Sequence, residues 1–192
     1  MRSAQIERKT RETSVQVSVS LDGIGAAKIE TGIRFLDHII QSLSTHSLVD
    51  IEVKAAGDLQ HHIVEDVALT LGSAINKALG DRKGIRRFGY AMVPMDDALA
   101  LAAIDLVRRP HSSIQFMLER PMIEDTPRED LEHFLPSLSS TLEATIHVKV
   151  LEGRNDHHKI EAGFKSFALA LRDAIASDPR RLEQLPTSKG MM

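Results

Sequence analysis

The chain has 192 residues, enough for one domain or for two small fused halves that share a real core. Hydrophobic residues make up 42% and charged residues 27%, and the net charge of −3 gives no electrostatic case for nucleic acid or an anionic membrane surface. The lack of cysteine excludes disulfides, zinc fingers and thiol catalysis, and it fits a reducing, cytoplasmic compartment.

The opening MRSAQIERKTRET is polar, so no secretory signal is expected, and no apolar run is long enough to cross a bilayer. Val15, Val17 and Val19 alternate with polar residues, which predicts a strand over 12–21. Asp22-Gly23 is a turn signal, and a strand near 26–32 would complete a hairpin. Residues 35–45 read as a short helix, and Ile51 and Val53 as part of another strand. Val64, Val67, Ala68, Leu71, Ile75 and Ala78 follow a helical period, predicting a helix over 61–79 with one buried face, stopped by Gly80. Segments 87–93, 97–107 and 112–119 read as extended, 127–141 as helix and 146–151 as strand. A second long helix over 158–176 follows Ile160, Phe164, Phe167, Ala168, Leu171 and Ile175. The tail PTSKGMM has no periodicity and is expected to be loose unless something binds it.

The chain reads twice. LDH at 36–38 matches LEH at 131–133, SLS at 42–44 matches SLS at 137–139, and IEVK at 51–54 matches IHVK at 146–149, all at an offset of 95. HHIVE at 61–65 then matches HHKIE at 157–161 at an offset of 96. Four matched blocks in order predict an internal duplication. The expected fold is α+β, with sheets covered by helices on one side, built twice over 1–85 and 86–180 and followed by a tail at 181–192.

The doubled motif suits metal binding. His61 and Glu65 are four residues apart and His62 and Glu65 three apart, so either histidine can share an ion with the glutamate. Adjacent helical side chains point ~100° apart, so the pair itself serves two ions. His157, His158 and Glu161 repeat the set, and His38 and His133 occupy matching upstream places. Shared out by symmetry, each of two ions would receive three histidines and one carboxylate, leaving positions open for substrate. Imidazole with carboxylate suits Mn, Fe, Co, Ni or Zn better than Mg or Ca. A single such pair at a helix start is more often a cap or a surface feature; two copies with matching upstream histidines favour ligands. His111, in RRPHSS, has no duplicate partner and reads as an exposed loop residue.

The segments FLDH, LSTH, GDLQHHIVED, KGIRRFGYAMVPMDDAL, DLVRRP, EHFLPSLS, NDHHKIEAGFKSFALALRDAI and TSKG resemble the imidazoleglycerol-phosphate dehydratase family over nearly the whole chain. The resemblance implies a duplicated unit like the second domain of ribosomal protein S5. It implies a site for two divalent ions, Mn2+ first among them, held by His38, His61, His62, Glu65, His133, His157, His158 and Glu161. Glu12, in KTRET, is similar to the family's substrate-contacting glutamate. Arg87, Arg109, Lys165 and the tail residues Thr187, Ser188 and Lys189 resemble its phosphate and substrate contacts. The family's subunits form trimers and then a 24-subunit shell, which implies a homo-oligomer with active sites between copies. The chain departs from the family pattern at Ser42, Ser47 and Arg108 and in a short lead-in before His61.

The implied reaction removes water from D-erythro-imidazole glycerol phosphate to give imidazole acetol phosphate. The C–H to be broken has no neighbouring carbonyl, so the imidazole ring must act as the electron sink, more readily as an imidazolate held between two ions, with a diazafulvene-like species following loss of hydroxide. Glu12 is the first candidate for proton transfer, with Asp96, Asp97 and His46 as others. The alternative is a dinuclear metallohydrolase acting on a small phosphorylated substrate, whose ions would activate water instead.

Overall fold

The computed structural model describes residues 2–191. The first half comprises β1 (Ser3–Lys9), β2 (Thr13–Ser20), β3 (Ala27–Glu30), α1 (Arg34–Ser47), β4 (Asp50–Gly57) and α2 (Gln60–Leu79). The second comprises β5 (Phe88–Met95), β6 (Ala98–Asp105), β7 (His111–Gln115), β8 (Met122–Ile123), β9 (Thr126–Pro127), α3 (Arg128–Leu142), β10 (Thr145–Glu152) and α4 (Asp156–Ile175). The first sheet runs β1-β2-β4-β3 and the second β5-β6-β10-β7, so the same order is written twice. In each, one edge strand, β3 or β7, is parallel to its neighbour and the other pairings are antiparallel. A short β8–β9 hairpin is added in the second half.

Strand alternation sets the layers. Val15, Val17, Val19, Ile51 and Val53 turn inward from the first sheet, and Ala100, Ala102, Ile104, Ile146 and Val148 from the second. The four helices lie between the sheets. Helix α2 rests on β1, β2 and β4, and α4 on β5, β6 and β10. Each helix then packs on one from the other half, α1 on α4 and α2 on α3. The long helices are therefore buried on more than the single face expected: α2 buries Asp66, Thr70 and Gly72 as well as its apolar stripe, because a sheet covers one side and α3 the other. Gly72 marks the close approach, since a Cβ there would collide with the Leu138 carbonyl oxygen and the Thr141 hydroxyl of α3. Gly80 ends α2 at a φ of 57°, the left-handed region that glycine tolerates.

The hairpin expected after β2 does not form. β3 pairs with β4, in parallel, and β2 pairs with β1 and β4. Asp22 is drawn to Arg2 (Oδ1 to Nη2, 2.5 Å) at the start of β1, and the Asp50 carboxylate accepts the Ile24 and Ala26 N–H groups at 2.9 and 2.8 Å, leading the chain across the end of β4. These N–H groups, Ala26 first, hold the Asp50 carboxyl below its ordinary value of 3.8. A depressed carboxylate stabilises the fold above its unfolded value and loses that contribution as pH falls through its folded value. Asp50→Asn is expected to lower the urea midpoint at neutral pH, with the gap closing below the ordinary value of 3.8, in denaturation curves taken across pH.

β1 was not expected from the sequence. It is an edge strand with a weak burial alternation and mostly polar residues, so pairing with β2 defines it. The extended stretch expected over 112–119 ends early: β7 stops at Gln115 and Met117 has a φ of 57°, which turns Phe116 and Leu118 into the core. His111 is exposed, as expected, but opens β7 instead of lying in a loop.

Candidate functional site

Helices α1 and α4 bring together residues that are far apart in sequence. Asn155 caps α4 by accepting the His157 N–H at 2.9 Å, which sets His157 in the first turn with Glu161 one turn on. His157 Nε2 lies 2.8 Å from Glu161 Oε1, and His38 Nε2 of α1 lies 2.9 Å from the same oxygen. The start of α1 has no side-chain cap of its own. Asp125, in the β8–β9 turn, accepts the Arg34 and Phe35 N–H groups at 2.9 and 3.0 Å and performs that role from the other half. Phe35 lies beside both rings, 5.0 Å from that of His157 and 6.1 Å from that of His38.

Glu161 is buried and Lys165 Nζ is 2.5 Å from its Oε2. Burial alone would raise its pKa; the hydrogen bonds with Lys165, His38 and His157 outweigh it and hold the carboxyl down to about 2. Glu161 is therefore an anion across the neutral range. Among the described residues, His38, His157 and Glu161 form the group whose ligand atoms all lie within 4.8 Å of one another. Two imidazoles and a carboxylate make a donor set that fits a divalent transition metal. A cavity of about 480 Å³ opens on the group, between Arg34 and Phe35 of α1 and Glu124 and Asp125 of the β8–β9 turn.

The α2–α3 pair brings together the matching residues with the halves exchanged, although His61, His133 and Glu65 do not converge as closely as the first group among the described residues. The rings of His61 and His133 are 5.9 Å apart, and Glu65 follows His61 one turn along α2. His61 Nδ1 is 2.6 Å from Asp130 Oδ1, and His133 Nδ1 is 2.9 Å from the Ser137 hydroxyl. Each upstream histidine thus meets the H-H-x-x-E motif of the opposite half, a crossing that the sequence did not reveal.

The expected set of three histidines and a carboxylate per ion is not gathered within one chain. His62 and His158 point elsewhere because adjacent positions on a helix diverge. The His157 and His158 rings stand at 88° to one another. His62 Nδ1 is 2.7 Å from Asp58 Oδ1 and 3.9 Å from Glu12 Oε2, at the β1–β2 turn. His158 Nδ1 is 2.5 Å from Asp97 Oδ1 and its Nε2 is 3.4 Å from Asp96 Oδ2, at the β5–β6 turn. Glu12 and the Asp96-Asp97 pair therefore occupy corresponding hairpin turns of the two sheets. The Asp58 hydrogen bond raises the pKa of His62, and the His158 hydrogen bond, with the Arg154 and Asn155 N–H groups, holds Asp97 far below the usual carboxylate range.

The remaining candidates divide between two places. His46 is half-buried on α1, its pKa lowered by burial and then by the charge of Lys165. Arg87 gives Nε and Nη2 to Asp105 at 2.6 and 3.0 Å and Nη1 to the Pro186 carbonyl at 2.9 Å. The tail is thus docked in the single chain, where the sequence suggested a loose end. A cavity of about 450 Å³ there is lined by Arg87, Arg109, Thr187, Ser188 and Lys189. Among the described residues no side-chain hydrogen bond joins Ser42, Ser47 or Arg108 to a histidine; Ser47 bonds the Ser44 carbonyl, and Arg108 reaches Glu143 and the Gly80 carbonyl.

Sequence reasoning missed Asp58, Glu124, Asp125 and Asp130. Asp58 stands four residues before His62 and its spacing was readable. The other three meet their partners across 33, 91 and 69 positions, which no local pattern marks.

The family model described as imidazoleglycerol-phosphate dehydratase matches residues 31–171. A protein of that name from Chlorobium phaeovibrioides is 50% identical over 99% of this chain and 95% of its own. One from Methanothermobacter thermautotrophicus is 47% identical over 100% and 98%. The crystal structure of the Pyrococcus furiosus protein, in complex with (S)-C348, superposes with a TM-score of 0.85 at 34% identity, covering 97% of this chain and 100% of that one. The Staphylococcus aureus structure gives 0.84 at 30% identity, covering 92% and 99%.

Proposed function

The chain belongs to the imidazoleglycerol-phosphate dehydratase family, and from that premise we propose how its residues carry the reaction. The enzyme is a hydro-lyase of histidine biosynthesis that converts D-erythro-imidazole glycerol phosphate to imidazole acetol phosphate. The His38, His157 and Glu161 group, drawn from both halves and facing a cavity, is the observation that carries the site assignment. A dinuclear hydrolase would need similar ligands; the family match decides for the lyase.

His38, His157 and Glu161 would hold one ion and His61, His133 and Glu65 a second, with Mn2+ the first candidate. When bound, such ions supply positive charge beside the ring nitrogens, which favours the ring as electron sink. The chain's own groups do the rest. Glu161, kept anionic, provides a hard oxygen donor. Glu12, at the β1–β2 turn, takes and returns the proton, with Asp96 and His46 as further candidates. Arg87, Arg109 and Lys165, with Thr187, Ser188 and Lys189 of the tail, bind the phosphate through charge-assisted hydrogen bonds. Arg87 keeps one free N–H on each terminal nitrogen beyond its bonds to Asp105 and Pro186, enough for an added acceptor.

His62 and His158 complete ligand sets on neighbouring copies, so the active form is a homo-oligomer, a 24-mer built from trimers, with sites between subunits. What supports this is their direction: from the first turns of α2 and α4 their rings face Glu12 and Asp96 of the hairpin turns, apart from the group in their own chain. The duplicated units run over 1–85 and 86–180, with 181–192 as the tail. No described helix is long and apolar enough to cross a membrane, and a cytoplasmic location fits a chain with no cysteine.

The test is direct. The metal-loaded protein is incubated with imidazole glycerol phosphate and ketone formation is followed, with elemental analysis of the same sample. Turnover and about two ions per chain are expected, one for each ligand set. No turnover with any divalent ion rejects the assignment, and a clean value near one ion removes the symmetric metal model.

A further inference from the structure

We propose that Asp58, Asp97, Glu124 and Asp130 are positioning residues for the metal centre, each accepting the Nδ1–H of one doubled histidine and so turning that ring's Nε2 toward an ion. The inference rests on the assignment of His61, His62, His157 and His158 as ligands. The separations from Nδ1 to carboxylate oxygen are 2.6 Å for His61 with Asp130, 2.7 Å for His62 with Asp58, 3.1 Å for His157 with Glu124 and 2.5 Å for His158 with Asp97. A neutral imidazole carries one N–H, and a carboxylate can only accept, so with an ion on Nε2 each contact would hold the proton on Nδ1. In His157 both ring nitrogens face carboxylates, Nδ1 at Glu124 and Nε2 at Glu161 beside His38, so an ion set between Nε2 and Glu161 would leave Nδ1 as the nitrogen that carries the proton.

Four such pairs do not follow from helical spacing. Only Asp58 and His62 are one turn apart; the other acids come from α3, the β5–β6 turn and the β8–β9 turn. Their own supports are built. Asp97 accepts the Arg154 and Asn155 N–H groups at 2.6 and 3.1 Å, which ties the β5–β6 turn to the start of α4. Asp130 is 2% exposed, and a carboxylate is buried at that level only where a donor meets it. Glu124 rides on the turn whose next residue, Asp125, caps α1, so one turn sets both the His157 ring and the helix that carries His38.

The experiment compares metal binding with apo stability. Apo wild type, Asp97→Ala and Asp130→Asn are titrated with Mn2+ by calorimetry, and each apo protein is melted. Asp97 is partly exposed, so its variant guards against a folding failure at buried Asp130. Affinity is expected to fall about 10–100-fold in both variants, with Asp97→Ala still folded but melting somewhat lower for want of its two N–H contacts, and with Asp97→Glu recovering part of the affinity. Wild type that binds Mn2+ together with variants that bind it equally well overturns the inference alone, as does lost apo stability with unchanged affinity. Wild type that takes up no divalent ion overturns the ligand assignment and this inference with it.

Discussion

His157→Ala is expected to remove activity and one bound ion together. Its Nε2 and that of His38 converge on the same oxygen of Glu161, so the substitution leaves one imidazole and one carboxylate at the α1–α4 site. Lewis-acid stabilisation of developing charge is worth several kcal/mol, so kcat/KM should fall by about 10³-fold or more. The α2–α3 set does not include His157 and should keep its ion. Metal analysis is therefore expected to fall from about two ions per chain toward one, in proportion to the loss of one ligand set. The ring is partly exposed and lies against Phe35 at the rim, so the apo fold should survive. Activity that persists after loss of that ion would remove the α1–α4 site from the chemistry.

Glu12→Gln should separate chemistry from binding. The carboxylate stands at the β1–β2 turn, 58% exposed and 3.9 Å from His62, with room to approach a substrate brought in by a neighbouring copy. A positioned general acid or base contributes about 10²–10⁴-fold, and the amide cannot exchange that proton. The expected result is a loss of that order in kcat, a small change in KM and an unchanged metal count. Asp96→Asn, at the corresponding turn of the second sheet, is the paired measurement, because its carboxylate stands over His158 as that of Glu12 stands over His62. A full loss with Asp96→Asn and none with Glu12→Gln would move the proton-transfer role to the other turn.

The two long helices were legible because their apolar period runs through several turns, and α2 and α4 appear where Val64 to Ala78 and Ile160 to Ile175 placed them. The repeated blocks likewise anticipated an α+β unit written twice, though not its strand order. Edge pairing was not legible. β3 carries the right residues for a strand, but its partner is chosen by the Asp50 carboxylate across 24 and 26 positions, not by the turn beside it. The candidate ligands could be named from spacing, while their grouping could not. His38 meets Glu161 across 123 positions because α1 packs on α4, a consequence of tertiary packing that neither motif encodes alone.

The exchange of helices between the halves has an evolutionary consequence. A primitive gene encoding one half would have produced a polypeptide whose two helices lacked neighbours, and whose upstream histidine faced a motif belonging to someone else. Such a product would bring its candidate ligands together by pairing with its twin, and a duplication in tandem would merely join the twins. On that route the joined copies would have been free to diverge, and Lys165, opposite Leu69 at the matching place, would mark one such divergence.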